Sequence, residues 1–202
     1  MKIPSLEQVV RLIAGLFLFA LGIAIQLRAA IGMAPWDVFA RGTANVTGFS
    51  FGVSTVVASA IVLLLWIPLK QRPGVGTIMN AALIGPFVDF CLGFLPIITE
   101  LHFVARTGFF ILGMAILAVG TGLYISARLG PGPRDGLMTG AVRRFNKPVW
   151  LVRMIIEGSA TVLGFAAGGA IGLGTVLFVF FVGPMVQVMM KAFGLIGPPR
   201  AA

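Results

Sequence analysis

Only six Asp and Glu side chains serve a chain of 202 residues that is 58% hydrophobic, so each carboxylate near an apolar run stands out. Asp37 and Asp135 sit in matching segments, Gly32-x-x-Pro35-x-Asp37 and Gly130-x-x-Pro133-x-Asp135. Asp89 follows Gly85-Pro86, and the amide Gln187 holds the matching place after Gly183-Pro184. Glu157 lies one turn after Arg153, at the spacing that puts both side chains on one helix face. A carboxylate at membrane depth is costly unless paired or hydrated, so these residues mark a polar pathway for a solute, an ion or a proton. Arg134 stands where the first segment has Trp36, and adds a cation able to hold phosphate, a lipid headgroup or its neighbour Asp135. Plainer roles stand beside these. Asp37 and Asp135 in the first turn of short helices would be favoured by the helix dipole. Asp89 paired with Arg28, Arg41 or a backbone group would only fix packing, and Glu157 would only neutralise Arg153.

Other chemistries lack their residues. One cysteine, Cys91, and one histidine, His102, build neither a disulfide framework nor a Cys/His metal site. There is no Walker-type loop, and Gly130-Pro-Gly132 has neither the strand nor the spacing of a dinucleotide fingerprint. No nucleophile with a base can be assembled, so neither an enzyme nor a cofactor is expected. Fifteen Lys and Arg oppose the six acids, but they mostly separate apolar runs, which is a topological signal rather than a nucleic-acid footprint.

The elements that must position these groups are membrane spans, each needing about 20 apolar residues to cross a core of about 30 Å. Uninterrupted apolar stretches lie near 9–27, 51–69, 76–96, 104–125, 149–170 and 174–194. The first is longer than a signal-peptide core and reads as a retained span. Ser5 followed by Gln8 fits a capping box that opens it. With a cytoplasmic N-terminus, Lys2, Arg11, Lys70, Arg72, Arg128, Arg134, Arg143, Arg144, Lys147, Arg153, Lys191 and Arg200 fall inside, and Arg28, Arg41 and Arg106 outside. That excess favours six spans with both termini in the cytoplasm.

Shifting the chain by 98 positions pairs Gly15 with Gly113, Gly22 with Gly120, Gly74, Gly76 and Thr77 with Gly172, Gly174 and Thr175, and both Gly-Pro pairs. About 16 of 76 positions are identical against roughly 7 expected from composition, a signature of internal repetition. Three spans per half give the second half opposite sidedness, the pattern of an inverted repeat. The fold expected is all-α, with two inverted three-helix repeats, 1–100 and 101–202, in one membrane unit. Gly32 and Gly130 permit chain reversal, and Pro35 and Pro133 each open a short helix that is either interfacial or re-entrant. Pro86 and Pro184 should kink their spans. Gly15, Gly22 and Ala29, like Gly113, Gly120 and Ala127, form stripes suited to close helix crossing. The GxxxG pattern Gly164–Gly168 leaves a homo-oligomer open. The basic segment from Arg134 to Lys147 suits an interfacial helix on anionic lipid.

Ile31-Gly-Met-Ala-Pro-Trp-Asp-Val38 and Leu129-Gly-Pro-Gly-Pro-Arg-Asp-Gly-Leu-Met138, with the later Gly-Pro pairs, resemble the bacterial YczE/YyaS/YitT group of integral membrane proteins, nearest its YczE-like members. The resemblance covers nearly the whole chain. It implies a small polytopic inner-membrane protein and carries no agreed substrate. Two functions follow as expectations: a transporter of an unknown small solute or ion, working by alternating access with Asp37, Asp135, Asp89 and Glu157 on its pathway, or an accessory protein that regulates a partner through helix and lipid contacts.

Overall fold

The computed structural model describes residues 4–49 and 51–196, and within them the chain is helical with no strand. Lys2 and Arg200, two of the inner charges, lie outside the described residues. Eight helices follow in order: α1 (Leu6–Ala29), α2 (Pro35–Thr47), α3 (Phe51–Leu64), α4 (Val75–Phe94), α5 (Phe103–Ser126), α6 (Pro133–Phe145), α7 (Val149–Ala166) and α8 (Leu173–Ala192). Five of them, α1, α4, α5, α7 and α8, are long and apolar enough to cross a membrane. The chain is a membrane protein with several apolar spans.

The expected span at 51–69 is shorter than its apolar run. Helix α3 has 14 residues, about 21 Å at 1.5 Å per residue, and turns occupy 65–70. Pro68 brings no backbone donor. Gln71 N closes the turn on Trp66 O at 3.1 Å, Lys70 takes a positive φ of 50°, and Trp66 Nε1 donates to Pro133 O at 2.9 Å. Those bonds hold the chain in a turn where hydropathy alone reads helix.

Helix α1 starts as its sequence dictates. Ser5 Oγ accepts from Gln8 N at 3.3 Å while Ser5 N donates to Gln8 Oε1 at 3.0 Å. Helices α2 and α6 each begin at the proline, with Ala34 and Gly132 as extended N-caps and Asp37 and Asp135 in the first turn. Pro86 and Pro184 lie inside α4 and α8, and neither helix ends there.

The centre of the molecule is the α1–α5 crossing. A methyl group on Gly22 would stand 2.5 Å from Gly113 O, and one on Gly120 would stand 2.7 Å from Gly15 O. Only glycine lets the backbones touch there. The connections after these helices are pinned by hydrogen bonds. Gly76 N donates to Leu129 O at 2.7 Å and Thr77 Oγ1 to Pro131 O at 2.7 Å. Gly174 N donates to Ile31 O at 3.0 Å and Thr175 Oγ1 to Met33 O at 2.6 Å. Gln8 Nε2 caps the end of α5 at Ala127 O, 3.0 Å, and Arg106 Nε caps α1 at Ala29 O, 2.7 Å. Gly130, at φ 110°, makes the reversal before α6 in a region that side chains avoid.

One pair of contacts does not recur. Helices α7 and α8 pack closely, with Gly183 against the Trp150 backbone and Trp150 N donating to Gln187 Oε1 at 3.1 Å. Helices α3 and α4 lie apart, and a methyl group on Gly85 would meet no atom within 4 Å. An apolar groove of about 660 Å³ between them is lined by Trp66, Ile67, Ile78 and Ala81.

Candidate functional site

The N-termini of α2 and α6 meet inside the bundle. The Arg134 guanidinium carbon lies 5.4 Å from the centroid of the Trp36 ring, and Trp36 packs with Leu137, Val62, Trp66 and Ala160. Since α2 and α6 both begin at proline, their first turns face the same space. That space is a cavity of about 410 Å³, within the usual size range of small-ligand sites. Every helix but α3 contributes to it: Phe19, Gln26, Trp36, Asp37, Asp89, Phe110, Arg134, Asp135, Arg153, Glu157 and Phe178 are among its walls.

The charged groups divide by how well they are satisfied. Asp135 is 4% exposed, accepts a hydrogen bond from Tyr124 Oη, and pairs with Arg153 Nη1 at 3.0 Å. Tyr124 Oη in turn accepts from Gly132 N at 3.1 Å, so this cluster ties α5, α6 and α7 together. Arg153 also approaches Glu157, with Nε 3.7 Å from Oε1. The other oxygen, Glu157 Oε2, is buried without a hydrogen-bond partner, and so is Trp36 Nε1. Arg153 Nε, on the same wall, is unpaired as well, and a buried polar atom left so costs about 1–3 kcal/mol.

The polar residues singled out by sequence fall in two places. Asp37, Asp135, Asp89, Glu157 and Arg134 all line the cavity, with Gly32 and Gly85 among its walls. Asp89 is exposed on α4, and Arg28 passes it by, since its guanidinium donates to Leu92 O. Gln187 is elsewhere, capping Trp150 N at the start of α7. Two participants lay unsuspected, Tyr124 and Gln26. The sequence held a signal for both, because they occupy equivalent positions, 26 and 124, as polar residues inside apolar spans.

Comparison with known proteins places the chain. Residues 6–191 match the model of a family of unknown function, DUF6198. The chain belongs to this family. Its relatives include an uncharacterized protein of Haemophilus influenzae, 38% identical over 89% of this chain and 82% of the relative. Two more are from Bacillus subtilis: the uncharacterized membrane protein YczE, 32% identical over 86% of this chain and 81% of its own, and the uncharacterized protein YyaS, 26% identical over 87% and 89%. The resemblance to YczE and YyaS read from the two Pro-x-Asp segments is thus shown along nearly the whole chain. No solved structure matches it.

Proposed function

We propose that this family member is a small-molecule or ion transporter of the bacterial cytoplasmic membrane, not an enzyme, working by alternating access. Its halves, 1–100 and 101–202, are inverted repeats with both termini in the cytoplasm. The reading is carried by the central cavity, where Asp37 and Trp36 of one half face Asp135 and Arg134 of the other. The reciprocal hydrogen bonds Gly76–Leu129 and Gly174–Ile31 support the repeat, because each residue and its counterpart stand 98 apart, as 174 − 76 and 129 − 31. Half-helices whose N-termini converge at mid-membrane are the usual framework of a transporter site.

The unequal halves supply the motion. Closed packing of α8 on α7 and the gap between α4 and α3 describe one state of a pair. Exchange of the two arrangements would close Asp89 onto the start of α3 as Gln187 now closes onto the start of α7.

The test is single-cysteine accessibility in a Cys91→Ala background, with Ala34→Cys and Val88→Cys probed by a membrane-impermeant maleimide from each side of oriented vesicles. Alternating access expects labelling from both sides, redistributed when a solute found by thermal-stability screening is added, and flux of that solute. Labelling from one side only, without flux, would refute it and favour the accessory protein, whose partner should then co-purify.

A further inference from the structure

The charge and geometry of the cavity define what it accepts. Four carboxylates, Asp37, Asp89, Asp135 and Glu157, face two guanidiniums, Arg134 and Arg153, a formal balance of −4 + 2 = −2. An anion is repelled by that sum, and a neutral solute leaves it uncompensated. Both cations have a neighbour, although Arg153 Nε is left unpaired 3.7 Å from Glu157 Oε1. Arg153 holds Asp135 at 3.0 Å, and Arg134 lies over Trp36 within electrostatic reach of Asp37. Glu157 is 4% exposed, yet Oε2 has no donor, and Asp37 acts on it electrostatically from α2. What Glu157 Oε2 and the Asp37 carboxylate lack is an N–H donor placed on them. The remaining wall is aromatic, with Phe110 at 1% and Phe178 at 5% exposure beside Phe19. An apolar body suits that wall better than the hydration shell of a metal ion.

Resting on the transport reading above, we infer that the cavity binds a small protonated organic amine, its ammonium between Glu157 Oε2 and Asp37 and its apolar body against Phe19, Phe110 and Phe178. Trp36 Nε1–H is the donor that would take an oxygen on the same molecule, and it sets a preference for amines carrying a hydroxyl or carbonyl. A quaternary ammonium has the charge without the N–H groups and fills the site less well.

The probes share one ring and differ only in the head: benzylamine, benzyltrimethylammonium, phenylalanine, benzoate and benzyl alcohol, titrated against the full chain in detergent at neutral pH by calorimetry. Benzylamine should bind saturably, at least tenfold tighter than each of the others, and Glu157→Gln should weaken it at least tenfold. The head-group comparison on the unaltered protein keeps the test decisive if that variant does not fold. Equal binding of benzyltrimethylammonium would overturn the hydrogen-bonded geometry. Preference for benzoate or benzyl alcohol would overturn the amine class, and preference for phenylalanine would overturn the charge balance that excludes a carboxylate. Saturable benzylamine binding without flux in vesicles would uphold this assignment and sink the transport reading. Flux of another solute without benzylamine binding would do the reverse.

Discussion

Asp135 and Asp37 are equivalent in sequence and opposite in situation, and replacing each by asparagine separates the two roles a membrane carboxylate can have. Asp135 pairs with Arg153 at 3.0 Å, both side chains being 6% exposed. At that distance a unit-charge pair interacts by about 5 kcal/mol at an effective dielectric of about 20. Asp135→Asn leaves Arg153 buried with only the 3.7 Å approach of Glu157, and breaking a buried pair costs about 3–5 kcal/mol. The Asp37 carboxylate has no hydrogen bond or ion pair among the described residues, so Asp37→Asn loses the helix-dipole contribution of about 0.3–1 kcal/mol and the longer-range attraction of Arg134. For a chain of this size, about 2–4 °C per kcal/mol turns these into a loss of about 6 °C or more for Asp135→Asn and less than about 4 °C for Asp37→Asn. The assay is thermal unfolding in detergent, followed by tryptophan fluorescence. Adding Arg153→Gln to Asp135→Asn should cost less than the two single changes together, because the charge left stranded is gone. Equal losses at Asp37 and Asp135, or additive losses in the double variant, would refute the division into a structural and a ligand-facing carboxylate.

The α1–α5 crossing leaves no room for a methyl group, so Gly22→Ala, whose new carbon would stand 2.5 Å from Gly113 O, should destabilise by about 1–3 kcal/mol in the same assay, whereas Gly108→Ala, facing open space, should not. A Cβ on Gly183 would stand 2.7 Å from Trp150 O, so Gly183→Ala should push α8 off α7 and lower the unfolding midpoint, by about 1–3 kcal/mol in the same assay. Gly85→Ala, whose new carbon would meet no atom within 4 Å, should leave the midpoint unchanged. Ser5→Ala removes the side-chain acceptor at the start of α1 and should lower stability by about 1 kcal/mol, seen as a shift in the unfolding midpoint.

What sequence could and could not reveal follows from the range of the forces involved. Helix starts were legible because capping is local: Ser5 with Gln8, Pro35 with Asp37 and Pro133 with Asp135 each declare an N-terminus within four residues. Spans were legible from hydropathy except at 51–69, where the end of α3 depends on a bond from Trp66 to Pro133, 67 residues away. Asp37 and Asp135 were visible as a repeated motif, but their difference was not, since it depends on what reaches them from other helices. Tyr124 and Arg153 surround Asp135, while their counterparts are Gln26, which donates to Gly22 O at 3.1 Å within its own helix, and a threonine at position 55. Asp135 is held by a hydrogen bond and an ion pair, and the Asp37 carboxylate has neither among the described residues. On the transport reading proposed above, identical locks in both halves would leave nothing in the cavity for a solute to complete. On that reading, the positions where the two segments differ mark the candidate site more sharply than the positions where they agree.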